Sequence, residues 1–301
     1  MGNTPTFIQP IGTGVAIVTP FAVKGNCDES LLEGLLERLI TSGVDFLVPL
    51  GTTAETPTLS SEEKELILQT VFQANNNRLP IWIGCGGNHT VGVAQQMQDY
   101  ADRYPAAGFL SVSPYYNRPT QEGIYQHFKY LAESSPLPIL LYNVPARTGR
   151  GISPETTVRL ATEFPKIVGI KEASADLSQG MAILQGVPED FVVLSGDDNL
   201  ALASMAVGYS GCISVTANLW PRTFSSMIRA ALEMDFVAAN ALQQRLLPFY
   251  DLLFEEGNPA GVKAALSILG FGTPEVRLPL VPASEHLTQK LKAALVAFGS
   301  E

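Results

Sequence analysis

The sequence has few cysteines, few histidines and few basic residues. Its three cysteines, Cys27, Cys85 and Cys212, lie far apart in the 301 residues, and no two have the spacing of metal ligands or of a disulfide framework. This cysteine usage indicates a reducing compartment, so we expect a cytoplasmic protein. The three histidines are scattered as well, and we expect no metal site.

Basic residues and long apolar runs are also scarce. Nineteen lysines and arginines stand against 29 acidic residues, which gives a formal net charge of −10. An acidic surface repels phosphate backbones, so the composition argues against nucleic-acid binding. No apolar run approaches the roughly 18 residues of a membrane span, and the N-terminus lacks the pattern of a secretory signal. With 46% hydrophobic residues, the chain can instead bury a large core.

Short apolar runs recur along the chain with longer amphipathic segments between them. The runs are rich in Val, Ile and Leu and show little alternation, which is typical of strands buried on both faces. Eight runs are predicted as strands: Gly14–Pro20, Asp45–Gly51, Ile81–Gly86, Gly108–Ser113, Ile139–Asn143, Ile167–Lys171, Val192–Gly196 and Gly211–Thr216.

Several of the intervening segments begin with a helix-capping residue. Ser60 and Glu63 form a capping box, and Thr120 and Ser153 open two further helices. Eight strand–helix repeats predict a (β/α)8 TIM barrel. A doubly wound open sheet is the alternative, but a glycine-rich nucleotide turn should then follow the first strand, where the chain reads Thr19-Pro20-Phe21.

Only helical segments are predicted after residue 222, over 222–256, 259–270 and 284–298. We therefore expect residues 1–222 to form the barrel, with the active site at the carboxyl ends of the strands. Residues 223–301 would add the last barrel helix and a C-terminal helical extension. No Ser/Gly-rich linker separates the two parts, so we expect the extension to pack on the barrel.

Lys171 is the most informative residue at the predicted strand ends. It ends the run Ile167–Lys171, where an ammonium group is costly unless it is paired or functional. Loss of hydration favours the neutral amine, which can attack a carbonyl carbon and form a Schiff base. The alternative is a lysine just past the strand that pairs with Glu172 in solvent.

Neighbouring strand ends carry groups that suit such chemistry. The phenols of Tyr142 and Tyr116 can transfer protons, and the turn at Thr52 and Thr53 offers hydroxyls and N–H groups to a small carboxylate. Arg147, in a predicted loop, can hold a carboxylate through two hydrogen bonds. Each residue also has a simpler reading, as a core aromatic, a turn or helix cap, or a surface ion pair.

Together these motifs resemble the dihydrodipicolinate synthase and N-acetylneuraminate lyase family of pyruvate-dependent class I aldolases. The resemblance extends from Gly12-Thr13-Gly14 to the run Asn258–Lys263. Four motifs carry it: Pro114–Pro119, Tyr142–Gly149, Gly169–Ser174 and Ser195–Asp198. The run Tyr-Asn-Val-Pro-x-Arg-Thr-Gly is similar to the synthases, since the lyases usually have an apolar residue in place of Arg147.

The resemblance implies a condensation of pyruvate with L-aspartate 4-semialdehyde, the first committed step of diaminopimelate and lysine biosynthesis. The alternative within the family is a lyase for N-acetylneuraminate or a sugar acid. A non-catalytic ligand-binding member is a third reading, against which the complete residue set counts. No cofactor is expected, because the imine on the lysine accepts the electrons.

The resemblance also implies a role for each site residue. Lys171 forms the Schiff base, and Tyr142, Thr52 and Tyr116 relay protons. Substrate contacts are implied for four residues: Thr53 and Arg147 through carboxylates, and Gly196 and Ile213 through backbone carbonyls in the pyruvate pocket. Tyr116 is implied to reach the site of a neighbouring copy, so we expect a homo-oligomer, commonly a dimer of dimers.

The sequence departs from the family pattern in two places. Ala54 stands where glycine is common, so its backbone must avoid a positive φ. The acidic residue and histidines through which feedback-sensitive members bind lysine are also missing, although Asn88 and Tyr115 remain. We therefore expect weak or absent inhibition by lysine. The residues at the changed positions are Thr56, Ser61, Lys64 and Gly92.

Overall fold

The structure is a computed structural model that describes residues 7–22 and 25–301. Strands and helices alternate along the chain. The strands are β1 Gly12–Ala16, β2 Phe46–Val48, β3 Trp82–Gly84, β4 Gly108–Val112, β5 Ile139–Asn143, β6 Ile167–Glu172, β7 Val192–Ser195 and β8 Gly211–Ser214. The helices are α1 Glu29–Thr41, α2 Ser61–Asn75, α3 Thr90–Arg103, α4 Gln121–Ser134, α5 Pro145–Thr148, α6 Pro154–Glu163, α7 Leu177–Gly186, α8 Ala201–Ala206, α9 Pro221–Leu232, α10 Phe236–Leu252, α11 Ala260–Ile268 and α12 Glu285–Phe298.

All eight strands belong to one sheet, in the order β2-β1-β8-β7-β6-β5-β4-β3. Strands β1 and β2 pair in parallel, and so do the consecutive strands from β3 to β8. Sequential neighbours in a parallel sheet, each joined by a helix, make a (β/α)8 barrel rather than a doubly wound sheet. The predicted fold class is therefore confirmed, and helices α10 to α12 form the C-terminal extension.

Six of the eight strands are shorter than the apolar runs that predicted them, whereas β5 has the predicted bounds and β6 extends one residue further, to Glu172. Strand β1 begins two residues earlier than predicted and ends at Ala16, although the Ile17 N–H still donates to the Val48 carbonyl, at 3.1 Å. Strand β2 ends at Val48, and Leu50 has a φ of 57°. A left-handed residue cannot continue an extended strand, so the rest of this run forms a turn.

The predicted helix starts are confirmed. Ser60 and Glu63 form a reciprocal capping box on α2, and the side chains of Thr120 and Ser153 accept hydrogen bonds at the starts of α4 and α6. The predicted helical run 222–256 is two helices, α9 and α10. Met234 between them has a φ of 65°, which ends α9.

The described chain falls into two compact units. The first comprises residues 7–11 and 80–213, and its core includes Trp82, Phe109 and Phe128. The second comprises residues 12–22, 25–79 and 214–301, with Phe46 and Phe249 in its core. The domain boundary expected at residue 222 stays a prediction. No helix within residues 7–22 and 25–301 is long and apolar enough to cross a membrane.

Candidate active site

Strands β5 and β6 place Lys171 beside Tyr142 in the first unit. The two residues are partners in the parallel register, and both are buried. The Lys171 Nζ lies 4.5 Å from the centre of the Tyr142 ring, within the range of a cation–π contact. Glu172 is buried as well, so the alternative in which Lys171 pairs with Glu172 in solvent is wrong. A phenol and an amine thus meet at the carboxyl ends of two adjacent strands.

Gly196, just after β7, lies against the Lys171 side chain. A Cβ atom on Gly196 would be 2.9 Å from Lys171 Cε and 2.5 Å from Ala173 Cβ, closer than van der Waals contact permits. The Gly196 N–H donates to the Glu172 carbonyl at 2.7 Å. The absence of a side chain therefore leaves room for the lysine. Ile213, also predicted for the site, lies fully buried on β8.

Two acidic residues follow Gly196 and shape the electrostatics near the lysine. Burial raises the pKa of the Asp197 carboxyl, while a hydrogen bond from the Ala175 N–H and the charge of Lys171 act in the opposite direction. Burial, aided by the charge of Asp198, also raises the pKa of the Cys212 thiol. Cys212 therefore remains a thiol at neutral pH, and thiols are poor nucleophiles.

Arg147 and Tyr116 lie at the surface of the same unit. Arg147 belongs to α5, a helix of four residues, and not to a loop as predicted. Pro145 presets the first helical φ, and Gly149 ends the helix with a φ of 73°. Tyr116 is 89% exposed and has a φ of 72°, so its phenol projects from a strained turn into solvent.

Thr52 and Thr53, predicted for the same reaction, belong to the second unit. They open the 3-10 turn Thr52–Ala54, which keeps Ala54 out of the left-handed region as expected. The positive φ falls on Glu55 instead, at 56°. The hydroxyl oxygen of Thr53 accepts a hydrogen bond from Asn258 Nδ2 at 3.0 Å. This turn is therefore fixed by its backbone and by a residue far along the chain.

Glu55 forms a buried ion pair with Lys263 that the sequence did not predict. Lys263 Nζ lies 2.6 Å from Glu55 Oε1, and both side chains are almost inaccessible to solvent. The other carboxylate oxygen, Oε2, accepts from the Arg277 N–H at 2.8 Å, and Nζ also donates to the Glu275 carbonyl. Burial lowers the pKa of Lys263, and the charge of Glu55 opposes that shift. Glu55 and Lys263 are 208 residues apart, so no local sequence pattern predicts that they form an ion pair.

The predicted residues thus divide between the units. The first unit holds Lys171, Tyr142, Tyr116, Arg147, Gly196 and Ile213, and the second holds Thr52 and Thr53. Among residues 7–22 and 25–301, no group of three or more His, Cys, Asp or Glu side chains is placed to hold a metal ion. The groups assembled near Lys171 can bind a carbonyl compound and move protons.

A barrel with a buried amine at a strand end is the arrangement of a (β/α)8 enzyme. The chain belongs to the Dihydrodipicolinate synthetase family, whose sequence profile it matches over residues 9–298. It is 48% identical over 281 residues to the 4-hydroxy-tetrahydrodipicolinate synthase of Flavobacterium psychrophilum. The aligned region covers 93% of this chain and 96% of the relative.

Solved structures of the same family are similar over nearly the whole chain. The chloride-inhibited dihydrodipicolinate synthase from Acinetobacter baumannii, complexed with pyruvate, is 41% identical, with a TM-score of 0.93 over 96% of this chain and 99% of that chain. The dihydrodipicolinate synthase from Aquifex aeolicus is 40% identical, with a TM-score of 0.92 over 96% and 98%.

Proposed function

We propose that the protein condenses pyruvate with L-aspartate 4-semialdehyde to 4-hydroxy-tetrahydrodipicolinate, the first committed step of diaminopimelate and lysine biosynthesis. The observation that carries the proposal is the buried Lys171 amine beside the Tyr142 phenol at the ends of β6 and β5. The activity is that named for the relative from Flavobacterium psychrophilum, and pyruvate is the compound bound by the structure from Acinetobacter baumannii.

The first step is the formation of an imine. The amine of Lys171 attacks C2 of pyruvate, and the ketone oxygen leaves as water after two protonations. Tyr142 is the proton donor supported by contact with Lys171, and Thr52 and Tyr116 are proposed to complete the proton relay. Thr53 is proposed to bind the pyruvate carboxylate, and the backbone carbonyls of Gly196 and Ile213 to line the pocket.

The second step forms the carbon–carbon bond. Loss of a proton from C3 converts the imine to an enamine, whose C3 attacks the aldehyde carbon of the acceptor, and the new alkoxide takes a proton. The acceptor's amino group then attacks C2 and displaces the Lys171 amine, which closes the ring and frees the enzyme. The imine nitrogen accepts the electrons throughout, so we propose that no cofactor takes part.

Arg147 favours this function over cleavage of N-acetylneuraminate or a sugar acid. Aspartate semialdehyde brings a carboxylate to the site, and a guanidinium group binds a carboxylate through two parallel hydrogen bonds. The exposed guanidinium on α5 is available for that contact.

The exposed Tyr116 supports a further part of the proposal. Its phenol is available to a second copy of the chain, so we propose a homo-oligomer, a dimer of dimers, in which Tyr116 completes a neighbour's relay. We place the reaction in the cytoplasm, where the three free cysteines would stay reduced.

The experiment is an initial-rate assay of the condensation, with N-acetylneuraminate cleavage in parallel. Pyruvate is also trapped on the enzyme with borohydride and its position located by mass spectrometry. We expect condensation, no sialate cleavage and a pyruvyl adduct on Lys171. The variant Lys171→Ala should lose both adduct and activity, whereas Lys290→Ala, at an exposed lysine, should keep them. An adduct that persists in Lys171→Ala refutes the assignment of Lys171 as the nucleophile. An adduct on the wild-type enzyme without condensation refutes aspartate semialdehyde as the acceptor.

A further inference from the structure

Asn143 and Glu172 form a buried pair on the strands that carry Tyr142 and Lys171. They are partners in the register of β5 and β6, one position beyond the pair Tyr142 and Lys171. Because successive side chains of a strand point to opposite faces, they lie on the face of the sheet opposite the amine and the phenol. Asn143 is fully buried, and Glu172 is 4% exposed.

The Glu172 carboxylate receives its hydrogen bonds from neutral donors. Asn143 Nδ2 lies 3.0 and 2.8 Å from its two oxygens. The Ser174 N–H donates to Oε1 at 2.8 Å, and Gln179 Nε2, from α7, donates to Oε2 at 2.9 Å. Among residues 7–22 and 25–301, no lysine, arginine or histidine pairs with this carboxylate. A buried carboxylate held only by neutral donors is costly to maintain and calls for an explanation.

The carboxylate fixes which way the Asn143 amide points. A carboxylate only accepts hydrogen bonds, so the NH2 group of the amide must face it. The amide oxygen is thereby turned to the other side, where Oδ1 accepts the Ile152 N–H at 2.9 Å. With the amide reversed, Oδ1 would face the negative oxygens and Nδ2 would face another N–H donor. Glu172 therefore determines the contact between Asn143 and Ile152.

The hydrogen bond between Asn143 and Ile152 joins the two ends of the chain segment that carries Arg147. The segment leaves β5 at Asn143, forms α5 and returns at Ile152, so both of its ends are held by one residue. Its return is tightly packed, since a Cβ atom on Gly151 would be 3.3 Å from Asn143 Oδ1. In the middle of the segment, the Thr148 hydroxyl donates to the Arg150 carbonyl at 2.8 Å, and its Oγ1 also lies 3.1 Å from the Val144 carbonyl oxygen. The position of the exposed guanidinium therefore depends on the amide beneath it.

We propose that Asn143 and Glu172 are positioning residues that place Arg147 for the acceptor's carboxylate. The inference rests on the proposed function and assigns the residues that set its acceptor specificity. The backbone bonds around Lys171 do not depend on the Asn143 side chain: the Ala173 N–H donates to the Asn143 carbonyl and the Gly196 N–H to the Glu172 carbonyl. Loss of the amide should therefore affect the acceptor more than imine formation.

The test compares acceptor kinetics with pyruvate trapping in the full-length chain. Asn143→Ala should raise the KM for aspartate semialdehyde by about tenfold or more, because the Arg147 guanidinium would be displaced from the acceptor's carboxylate. The yield and rate of the borohydride-trapped pyruvyl adduct should stay within about twofold of wild type, because the transition-state contacts to pyruvate are unchanged. Asn240→Ala, at an exposed asparagine on α10, is the matched control.

A swap of the polar groups separates orientation from general loss of structure. Asn143→Asp places two carboxylates together and should raise the acceptor KM strongly. In Asn143→Asp/Glu172→Gln, the new amide can donate to the new carboxylate, which still accepts the Ile152 N–H, so part of the acceptor affinity should return. If Asn143→Ala does not fold, the comparison of Asn143→Asp with the double variant tests the positioning role instead.

The outcomes that overturn the inference are distinct from those that overturn the proposed function. An unchanged acceptor KM in Asn143→Ala, an equal loss of pyruvate trapping, or a double variant no better than Asn143→Asp refutes the positioning role alone. A wild-type chain that traps pyruvate but consumes no aspartate semialdehyde refutes the proposed acceptor, and the inference with it.

Discussion

Gly196 and Lys171 are in such close contact that no other residue fits beside the lysine without displacing it. A methyl group at Gly196 would lie 2.9 Å from Lys171 Cε. Gly196→Ala should therefore move the amine or the strand end and slow imine formation by about tenfold to a hundredfold, since small displacements of reacting groups are costly. The rate of pyruvate trapping measures this directly.

Gly34→Ala is the matched control for that substitution. Gly34 is exposed within α1, and apart from the backbone of that helix and its chain neighbours nothing lies within 4 Å of a Cβ placed on it, so the variant should trap pyruvate at the wild-type rate. Its stability should rise by about 0.5–1 kcal/mol, because alanine is the better helix former. Equal trapping by Gly196→Ala and wild type would contradict the proposed lack of space.

Arg147→Ala should weaken binding of the acceptor and leave the pyruvate imine intact. Loss of a bidentate contact to a carboxylate costs about 1.5–3 kcal/mol, which corresponds to a rise of roughly tenfold or more in the KM for aspartate semialdehyde. Steady-state kinetics against Arg150→Ala, at the neighbouring exposed arginine, provide the comparison. Similar effects of both substitutions would mean that general surface charge, and not Arg147, attracts the acceptor.

Lys263→Met should destabilise the fold far more than the loss of a surface lysine. It leaves the buried Glu55 carboxylate without its ion-pair partner, at a cost of about 3–5 kcal/mol. Lys290→Met breaks an ion pair with Glu255 that is about 40% exposed and should cost less than about 1 kcal/mol. Urea unfolding at a fixed protein concentration compares them, and a small effect at Lys263 would show that water or another group replaces the ammonium.

His127 should make the protein less stable as the pH falls from 6.5 towards 4. Burial lowers its pKa from 6.5 to about 4, and its Nδ1 lies 2.8 Å from Thr90 Oγ1. The unfolded chain therefore binds a proton in this window that the folded chain does not, which favours unfolding by up to about 3 kcal/mol. Below about pH 4 both states are protonated, and this contribution stops changing.

Urea unfolding between pH 7 and 4.5 tests the contribution of His127. His127→Leu should show a shallower loss of stability with falling pH than wild type, whatever its absolute stability. His286→Gln, at an exposed histidine, should retain the wild-type slope. Identical slopes in all three proteins would exclude His127 as the group that takes up the proton.

Lysine should inhibit the condensation weakly or not at all. The missing acid leaves a lysine ligand's ammonium group without a partner, and Lys64 adds a like charge. Rates at saturating pyruvate with increasing lysine measure the effect. An inhibition constant in the low micromolar range would show that the remaining Asn88 and Tyr115 suffice.

The barrel could be predicted from the sequence because its strands are buried on both faces and its helices start with strong caps. Ser60 with Glu63 marks a helix start through contacts three residues apart, and such local signals survive in any fold. The strand ends were less accurate because they depend on backbone conformations such as the positive φ of Leu50. Propensity alone does not reveal a left-handed leucine.

The residues proposed for the reaction were partly predictable for a similar reason. A lysine at the end of an apolar run is conspicuous, and its contact with Tyr142 follows from neighbouring strands in register. The supporting residues were not predictable, because Asn143 with Glu172 and Glu55 with Lys263 are defined by contacts across the chain. An asparagine or a glutamate next to a strand end is too common to signal a buried network.

The contacts of the threonine turn have a consequence for synthesis of the chain. Thr53 and Glu55 leave the ribosome early, but their partners Asn258 and Lys263 are made some two hundred residues later. Until then the Glu55 carboxylate lacks its ammonium partner, and only local hydrogen bonds, such as that from the Thr58 N–H to the Glu55 carbonyl, hold the turn. A nascent chain or a truncated product that stops before Asn258 would therefore carry every residue proposed for catalysis and still lack the side-chain partners of the turn that is proposed to bind the pyruvate carboxylate.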